Sequence, residues 1–179
     1  MGKHMSSKLD LSNFDVHVQE SFKSIQLLYK NQLHNQSKYL GFILIDQLAW
    51  LISGNEQQVN IYFKAWLDKY FIKYYPEITS EEIWASRNGM LHNGSSISRD
   101  IVKQKVSRQL LFVYNLNHFD EINKVFNDPS YAVVNSARFL EIALLEAVKE
   151  FRIDLEQGYV PDVDDVKVKL GKLLTDLKS

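Results

Sequence analysis

KYLGFILIDQLAWLIS, residues 38–53, is the segment that decides the fold class. Its apolar residues occupy nearly every side of a helical projection, and a helix of that kind is usually central in a bundle. Gly54 follows as a natural stop signal. We therefore predict a mainly α-helical protein built around a helix over residues 38–53.

Four further helices are predicted from apolar residues that recur at helical spacing. They cover residues 13–30, 56–74, 136–157 and about 161–177. The helix over 56–74 carries an aromatic stripe, which we interpret as packed core because its rows follow the helical period. A base-stacking surface is the less favoured interpretation. Asn135 is predicted to cap the helix over 136–157, and Gly158 to end it.

Two short segments rich in Val, Leu, Phe and Tyr, residues 106–114 and 131–134, are predicted to be extended. We expect them to form a small antiparallel β-hairpin with a loop across 115–130. The expected fold is therefore mainly α, a bundle of five to six helices with a small β-hairpin insertion.

Of the 179 residues, 45% are hydrophobic, which places the chain among folded globular proteins. The sequence contains no cysteine. Residues 1–5 are interpreted as an expression remnant, and residues 6–179 as a single domain. No apolar run approaches the roughly 20 residues of a membrane span, so we expect a cytoplasmic protein without a membrane partner. Gly-rich phosphate loops and zinc-ligand spacings are absent, and no metal or cofactor is expected.

Charge is unevenly distributed although the net charge is only −1. Residues 87–119 carry five basic residues against the single acid Asp100, a local sum of +4. Such a patch can concentrate a polyanion at one place. We predict that Arg99, Lys103, Lys105 and Arg108 bind RNA, and the alternative is a solvated loop with scattered basic residues.

A capping box, Thr79-Ser80-Glu81-Glu82, predicts one more helix, the fourth in chain order, that starts near Ser80. Its last turns carry RNGMLH, residues 87–92. Arg87 can hold a phosphate at any pH, and His92 can transfer a proton near neutrality. Spacing alone also allows a plain structural role, in which both residues satisfy the carbonyls at the helix end.

Positions 87 and 92 lie roughly 140° apart around a regular helix. Either the helix ends before His92, or a second chain completes the site across a two-fold axis. Asp46 stands out in the apolar central helix, because a buried carboxylate normally has a partner. Arg87 is one candidate for that partner.

The motif Arg87-Asn88-Gly89-Met90-Leu91-His92 resembles the R-x4-6-H signature of the HEPN superfamily, in which the first variable position is commonly Asn, Asp or His. The surroundings are also similar to one bacterial HEPN group in the segments 43–48 and 66–70 and in Trp84 just before the motif. The similarity covers about residues 13–157. The segment from about Pro161 to Ser179 departs from the commonest toxin type, and its role is open.

The resemblance implies an all-α bundle that forms a homodimer with its two motifs facing each other, and a metal-independent endoribonuclease activity. It implies that His92 acts as general acid or base, that Arg87 holds the scissile phosphate, and that Asn88 orients His92 or binds the phosphate. Many family members are toxins or antiphage effectors, so an antitoxin protein is a possible partner.

Other members of the family keep the fold without cleavage. A non-catalytic binding or dimerisation module is therefore the alternative function. Nucleotide sensing is a third, and it predicts a heat of nucleotide binding that disappears when Arg87 is removed.

Overall fold

The computed structural model describes residues 9–54, 59–93, 106–114, 121–122 and 128–173. Six α-helices and a two-stranded sheet lie within these ranges, which confirms the mainly α prediction with a small β insertion. The helices are α1 Ser12–Lys30, α2 His34–Leu51, α3 Val59–Trp66, α4 Ser80–Asn93, α5 Leu144–Gln157 and α6 Val163–Leu170. The strands are β1 Gln109–Val113 and β2 Tyr131–Asn135. A π-helical turn, Leu67–Phe71, and a 3-10 turn, Ile72–Tyr74, continue α3, and a second π-helical turn, Arg138–Ala143, leads into α5.

Helix α2 lies at the centre of the bundle, as its all-round apolar sequence predicts. Phe42, Leu44, Ile45, Leu48 and Leu51 are each at most 1% exposed. It contacts α1, α3, α4 and α6. The helices around it therefore share one core with it.

The start of α2 lies at His34, four residues before the predicted start at Lys38. The first turn is polar, so its sequence carries no apolar signal, but a backbone hydrogen bond and a tertiary ring contact stabilise it. The Leu33 carbonyl accepts from the Ser37 amide at 3.0 Å. The His34 ring stacks on Tyr114 with its centroid 4.3 Å away.

The aromatic stripe of the third helix is core, as predicted. Phe63, Trp66, Tyr70 and Phe71 are at most 2% exposed. The rings of Trp66 and Tyr70 meet Phe151 of α5 edge-on at centroid distances of 5.9 and 5.2 Å. These edge-to-face contacts fix α5 against α3.

The two strands run parallel, so the predicted antiparallel hairpin is wrong. Gln109 pairs with Tyr131 and Val113 with Asn135. Parallel strands need a crossover connection of about a dozen residues or more, and residues 114–130 are long enough to supply one. At the end of β1 the Tyr114 carbonyl accepts from Tyr29 at 2.8 Å, and its hydroxyl donates to Asn35 at 3.2 Å.

The predicted helix ends are confirmed around α5 and at the start of α6. The Asn135 side chain accepts from the Arg138 amide at 3.0 Å, and Gly158 ends α5 in the left-handed conformation with φ +72°. Asp162 caps α6 by accepting from the Asp165 amide at 2.9 Å. The helix ends at Leu170, with Gly171 as its C-cap, so the predicted continuation to about residue 177 is wrong over residues 171–173; residues 174–177 lie outside the described residues.

Candidate functional site

Arg87 of α4 is paired with Asp46 of α2. Its Nε lies 2.9 Å from Asp46 Oδ2 and 3.2 Å from Oδ1, and one terminal nitrogen lies 2.6 Å from Oδ2. Both side chains are 18% exposed, so the pair lies at the edge of the bundle and not inside it. Arg87, one candidate for the partner of the Asp46 carboxylate, is thus found in contact with it.

The capping box sets the start of the helix that carries Arg87. The Glu82 amide donates to Thr79 Oγ1 at 3.2 Å, and the Thr79 amide donates to Glu82 Oε2 at 2.9 Å. Ile83 and Ala85 are fully buried and Met90 nearly so. The apolar side of α4 therefore faces the core and leaves Arg87 at its edge.

Two further contacts hold the guanidinium of Arg87 in place. Its second terminal nitrogen donates to Asn88 Oδ1 at 2.9 Å. Its Cζ lies 5.2 Å from the centre of the Trp84 ring, which in turn meets the Phe63 ring at 5.1 Å. Arginine has five N–H donors. Within the described residues, one N–H on each terminal nitrogen of Arg87 has no partner, so the group can still bind an anion.

Helix α4 runs without interruption to Asn93, past His92. The possibility that the helix ends before His92 is therefore wrong. Positions 87 and 92 lie roughly 140° apart around the helix axis, whereas positions 88 and 92 share one face. The His92 side chain itself lies outside the described residues. One copy of α4 thus does not present positions 87 and 92 to the same point.

Of the four predicted RNA-binding cations, the structure describes only Arg108. Arg99, Lys103 and Lys105 lie outside the described residues. Arg108 Nε lies 2.6 Å from Glu82 Oε1, and a terminal nitrogen donates to the Glu77 carbonyl at 3.1 Å. Its charge thus compensates the buried Glu82 and ties the start of β1 to the start of α4. RNA binding by Arg108 stays a prediction, and a bound phosphate would compete with this ion pair.

Sequence reasoning missed the Arg108–Glu82 contact and the position of Trp84 under Arg87. The first joins residues 26 positions apart, and no sequence signal identifies such a pair beyond the opposite charges. The second had a usable signal, because residues three apart on a helix are neighbours.

A shallow cleft of about 290 Å³ lies between the π-helical turn after α3 and helix α5. Asp154 accepts there from Lys69 at 2.7 Å and from Tyr70 at 2.9 Å, and Lys73 is paired with Glu150. Burial alone would raise the pKa of Asp154, but hydrogen bonds from Lys69 and Tyr70 lower it below the usual value. Each of these four charges already has an opposite charge beside it, so we assign the cluster a structural role.

The described part of the chain offers neither a metal-binding cluster nor a membrane-spanning helix. No group of three or more His, Asp or Glu side chains there could hold a metal ion. None of the described helices is both long and apolar enough to cross a membrane.

No protein-family model, curated protein or solved structure matches this chain. The resemblance to the HEPN superfamily therefore rests on the residues of this chain alone.

Proposed function

We propose that this protein is a metal-independent endoribonuclease that cleaves RNA at a site shared by two copies of the chain. The observation that carries the proposal is the geometry of Arg87. Its guanidinium is oriented by Asp46 and Asn88 at the edge of the bundle, and two of its N–H groups have no partner within the described residues, so that they can bind a phosphate oxygen. A preorganised donor of this kind stabilises charge that develops in a transition state.

The proposed reaction needs a base and an acid. The 2′-oxygen loses its proton to the base and bonds to phosphorus, the bond from phosphorus to the 5′-oxygen breaks, and the acid protonates that oxygen. The products are a 2′,3′-cyclic phosphate and a 5′-hydroxyl. His92 is assigned the proton transfers. One imidazole cannot be base and acid in the same step, so His92 of a second copy would supply the other function.

Asn88 has two roles in this proposal. Its carbonyl oxygen accepts from Arg87, which leaves the amide N–H₂ as a donor. Positions 88 and 92 share a helix face, one turn apart. The amide can therefore orient His92 or hydrogen-bond the phosphate.

One side of α2 beside Asp46 is only partly covered by the neighbouring helices, which favours contact with a second copy there. Asp46 lies at one edge of a 120° sector of the helix that also holds Tyr39, Leu40, Ile43, Gln47 and Trp50. Ile43 is 38% exposed, and the other four are partly exposed. The carboxylate of Asp46 is compensated by Arg87, and the Gln47 amide is paired with His17 at 2.9 Å. A surface of this composition can pack on its own copy around a two-fold axis.

The test is cleavage of a mixed RNA substrate in EDTA. The parent should cut it and leave 2′,3′-cyclic ends, whereas Arg87→Ala and His92→Ala should each lose about 100-fold or more in rate. Arg152→Ala is the matched control, because Arg152 makes a similar two-pronged ion pair with Asp15, between α5 and α1. This control should keep the parent activity. Equal cleavage by all four proteins, or none by the parent, would refute the proposal.

A non-catalytic assembly module is the second candidate, and the same Arg87–Asp46 ion pair favours it. In that case Arg87 serves only to join α4 to α2. Arg87→Ala and Asp46→Asn should then weaken dimers measured by sedimentation, while no RNA is cut by any variant.

A further inference from the structure

Lys169 of α6 is a buried cation at the end of α2. It is 5% exposed. Its Nζ lies 2.7 Å from Asp165 Oδ2, 3.0 Å from Ser53 Oγ and 5.3 Å from the centre of the Trp50 ring. Lysine is almost never buried unless it is paired, and these contacts satisfy it.

The position of Lys169 matters because α2 has no basic residue in its own last turn. The carbonyls at a helix C-terminus carry partial negative charge, which a cation stabilises. Lys169 of α6 lies beside this end of α2, where its Nζ contacts Ser53 and the Trp50 ring. It donates to Ser53, two residues beyond the last residue of α2. The end of α2 is thus held by α6.

The last turn of α2 is adjacent to the turn that carries Asp46 of the candidate site. Trp50 lies one turn after Asp46, and in an α-helix its amide donates to the Asp46 carbonyl. The Asp46 carboxylate in turn holds the guanidinium of Arg87. A continuous set of contacts therefore joins Lys169 to Arg87 through Trp50 and Asp46.

We propose that Lys169 is a positioning residue for the Arg87–Asp46 pair, and that α6 therefore contributes to the geometry of the site. Lys169 fixes the last turn of α2, which keeps Asp46 at the distance and angle that orient Arg87. The effect on RNA cleavage rests on the function proposed above, whereas the effect on the ion pair does not.

The first experiment observes the ion pair without any RNA. The Nε–H of Arg87 gives a proton–nitrogen resonance in NMR, assigned by its loss in Arg87→Lys. Lys169→Met removes the charge and the hydrogen bonds but keeps the apolar stem, and it should shift or broaden that resonance. Lys169→Arg should restore it in part. Arg152→Met, which removes a tie between α5 and α1, should leave it unchanged.

The second experiment measures RNA cleavage in EDTA by the same proteins. A misplaced Arg87 acts mainly in the transition state, so Lys169→Met should lower kcat about tenfold with a much smaller change in KM. Lys169→Arg should recover most of that loss. If Lys169→Met does not fold, Ser53→Ala replaces it in both experiments, because this change removes only one acceptor.

The outcomes separate the two proposals. An unchanged Arg87 resonance in a folded Lys169→Met protein would overturn the positioning role, as would unchanged kcat in an active enzyme. A parent that cuts no RNA would refute the nuclease proposal alone, and the resonance would still decide the role of Lys169.

Discussion

Replacing Lys38 with methionine is expected to stabilise the protein near neutral pH. The parent should become more stable as the pH rises towards 9.5, and the methionine variant should lack that part of the increase which comes from Lys38. Lys38 is 7% exposed in the first half of α2. Its Nζ lies 4.9 Å from the centre of the Phe112 ring and 5.0 Å from that of Tyr114, and no carboxylate within the described residues pairs with it. Burial lowers the pKa of Lys38 to about 8 from its usual value of 10.5.

The direction and size of the effect follow from this pKa. The unfolded chain carries the charge without penalty up to about pH 10.5, whereas the folded protein must bury it at every pH below about 8. The penalty, about 3 kcal/mol for a shift of this size, is therefore fully present at pH 7 and is relieved as pH rises. Linkage predicts that Lys38 adds about 2 kcal/mol of stability between pH 7 and about pH 9.5. Burial raises the pKa of Tyr114 to about 12, so its ring stays neutral over this range.

The assay is urea unfolding followed by circular dichroism at several pH values. The free energy of unfolding of Lys38→Met should exceed that of the parent by about 2 to 3 kcal/mol at pH 7, and the difference should shrink by about 2 kcal/mol at about pH 9.5. Lys23→Met on the exposed face of α1 is the matched control and should follow the parent at every pH. Parallel curves for the parent and Lys38→Met would refute the reasoning.

Two further substitutions test the packing around the site. Gly41→Ala should destabilise the protein by about 1 to 3 kcal/mol in urea unfolding, because the new Cβ would come within 2.5 Å of Leu140 Cδ2 in the core. In a Leu140→Ala background the clash is gone, and the same change should be neutral or stabilising by up to about 1 kcal/mol. A loss of the same size in both backgrounds would contradict this explanation. Thr79→Ala should lower the unfolding free energy by about 1 kcal/mol through loss of the cap on Glu82, whereas Thr79→Ser should change it little. Equal values for both Thr79 variants would argue against the cap.

Much of the fold could be predicted because its signals are local. The apolar period of α1 and the capping box at Thr79 each depend on residues within a few positions of one another. The left-handed turn at Gly158 is a property of that residue alone. A partner for Asp46 could be expected, with Arg87 as one candidate, because a carboxylate in an apolar helix normally has one.

Other features depend on contacts between segments far apart in the chain. Residues 109–113 and 131–135 have the same extended pattern in a hairpin and in a parallel pair, and the anchoring of Tyr114 by Tyr29 and Asn35 accompanies the parallel arrangement. Arg108 was predicted only as an RNA-binding cation, yet it compensates Glu82. Its charge marks a potential ion pair but does not identify the partner.

The sequence by itself determined the helices, most of their ends and the motif that makes Arg87 a candidate, since hydrogen bonding within a helix and the burial of one face are encoded at short range. Only the tertiary structure decided the strand direction, the early start of α2 and the role of Lys169 at the end of α2. These three features depend on contacts between segments that are distant in the chain. The free energy of such contacts depends on both segments and cannot be inferred from either one alone.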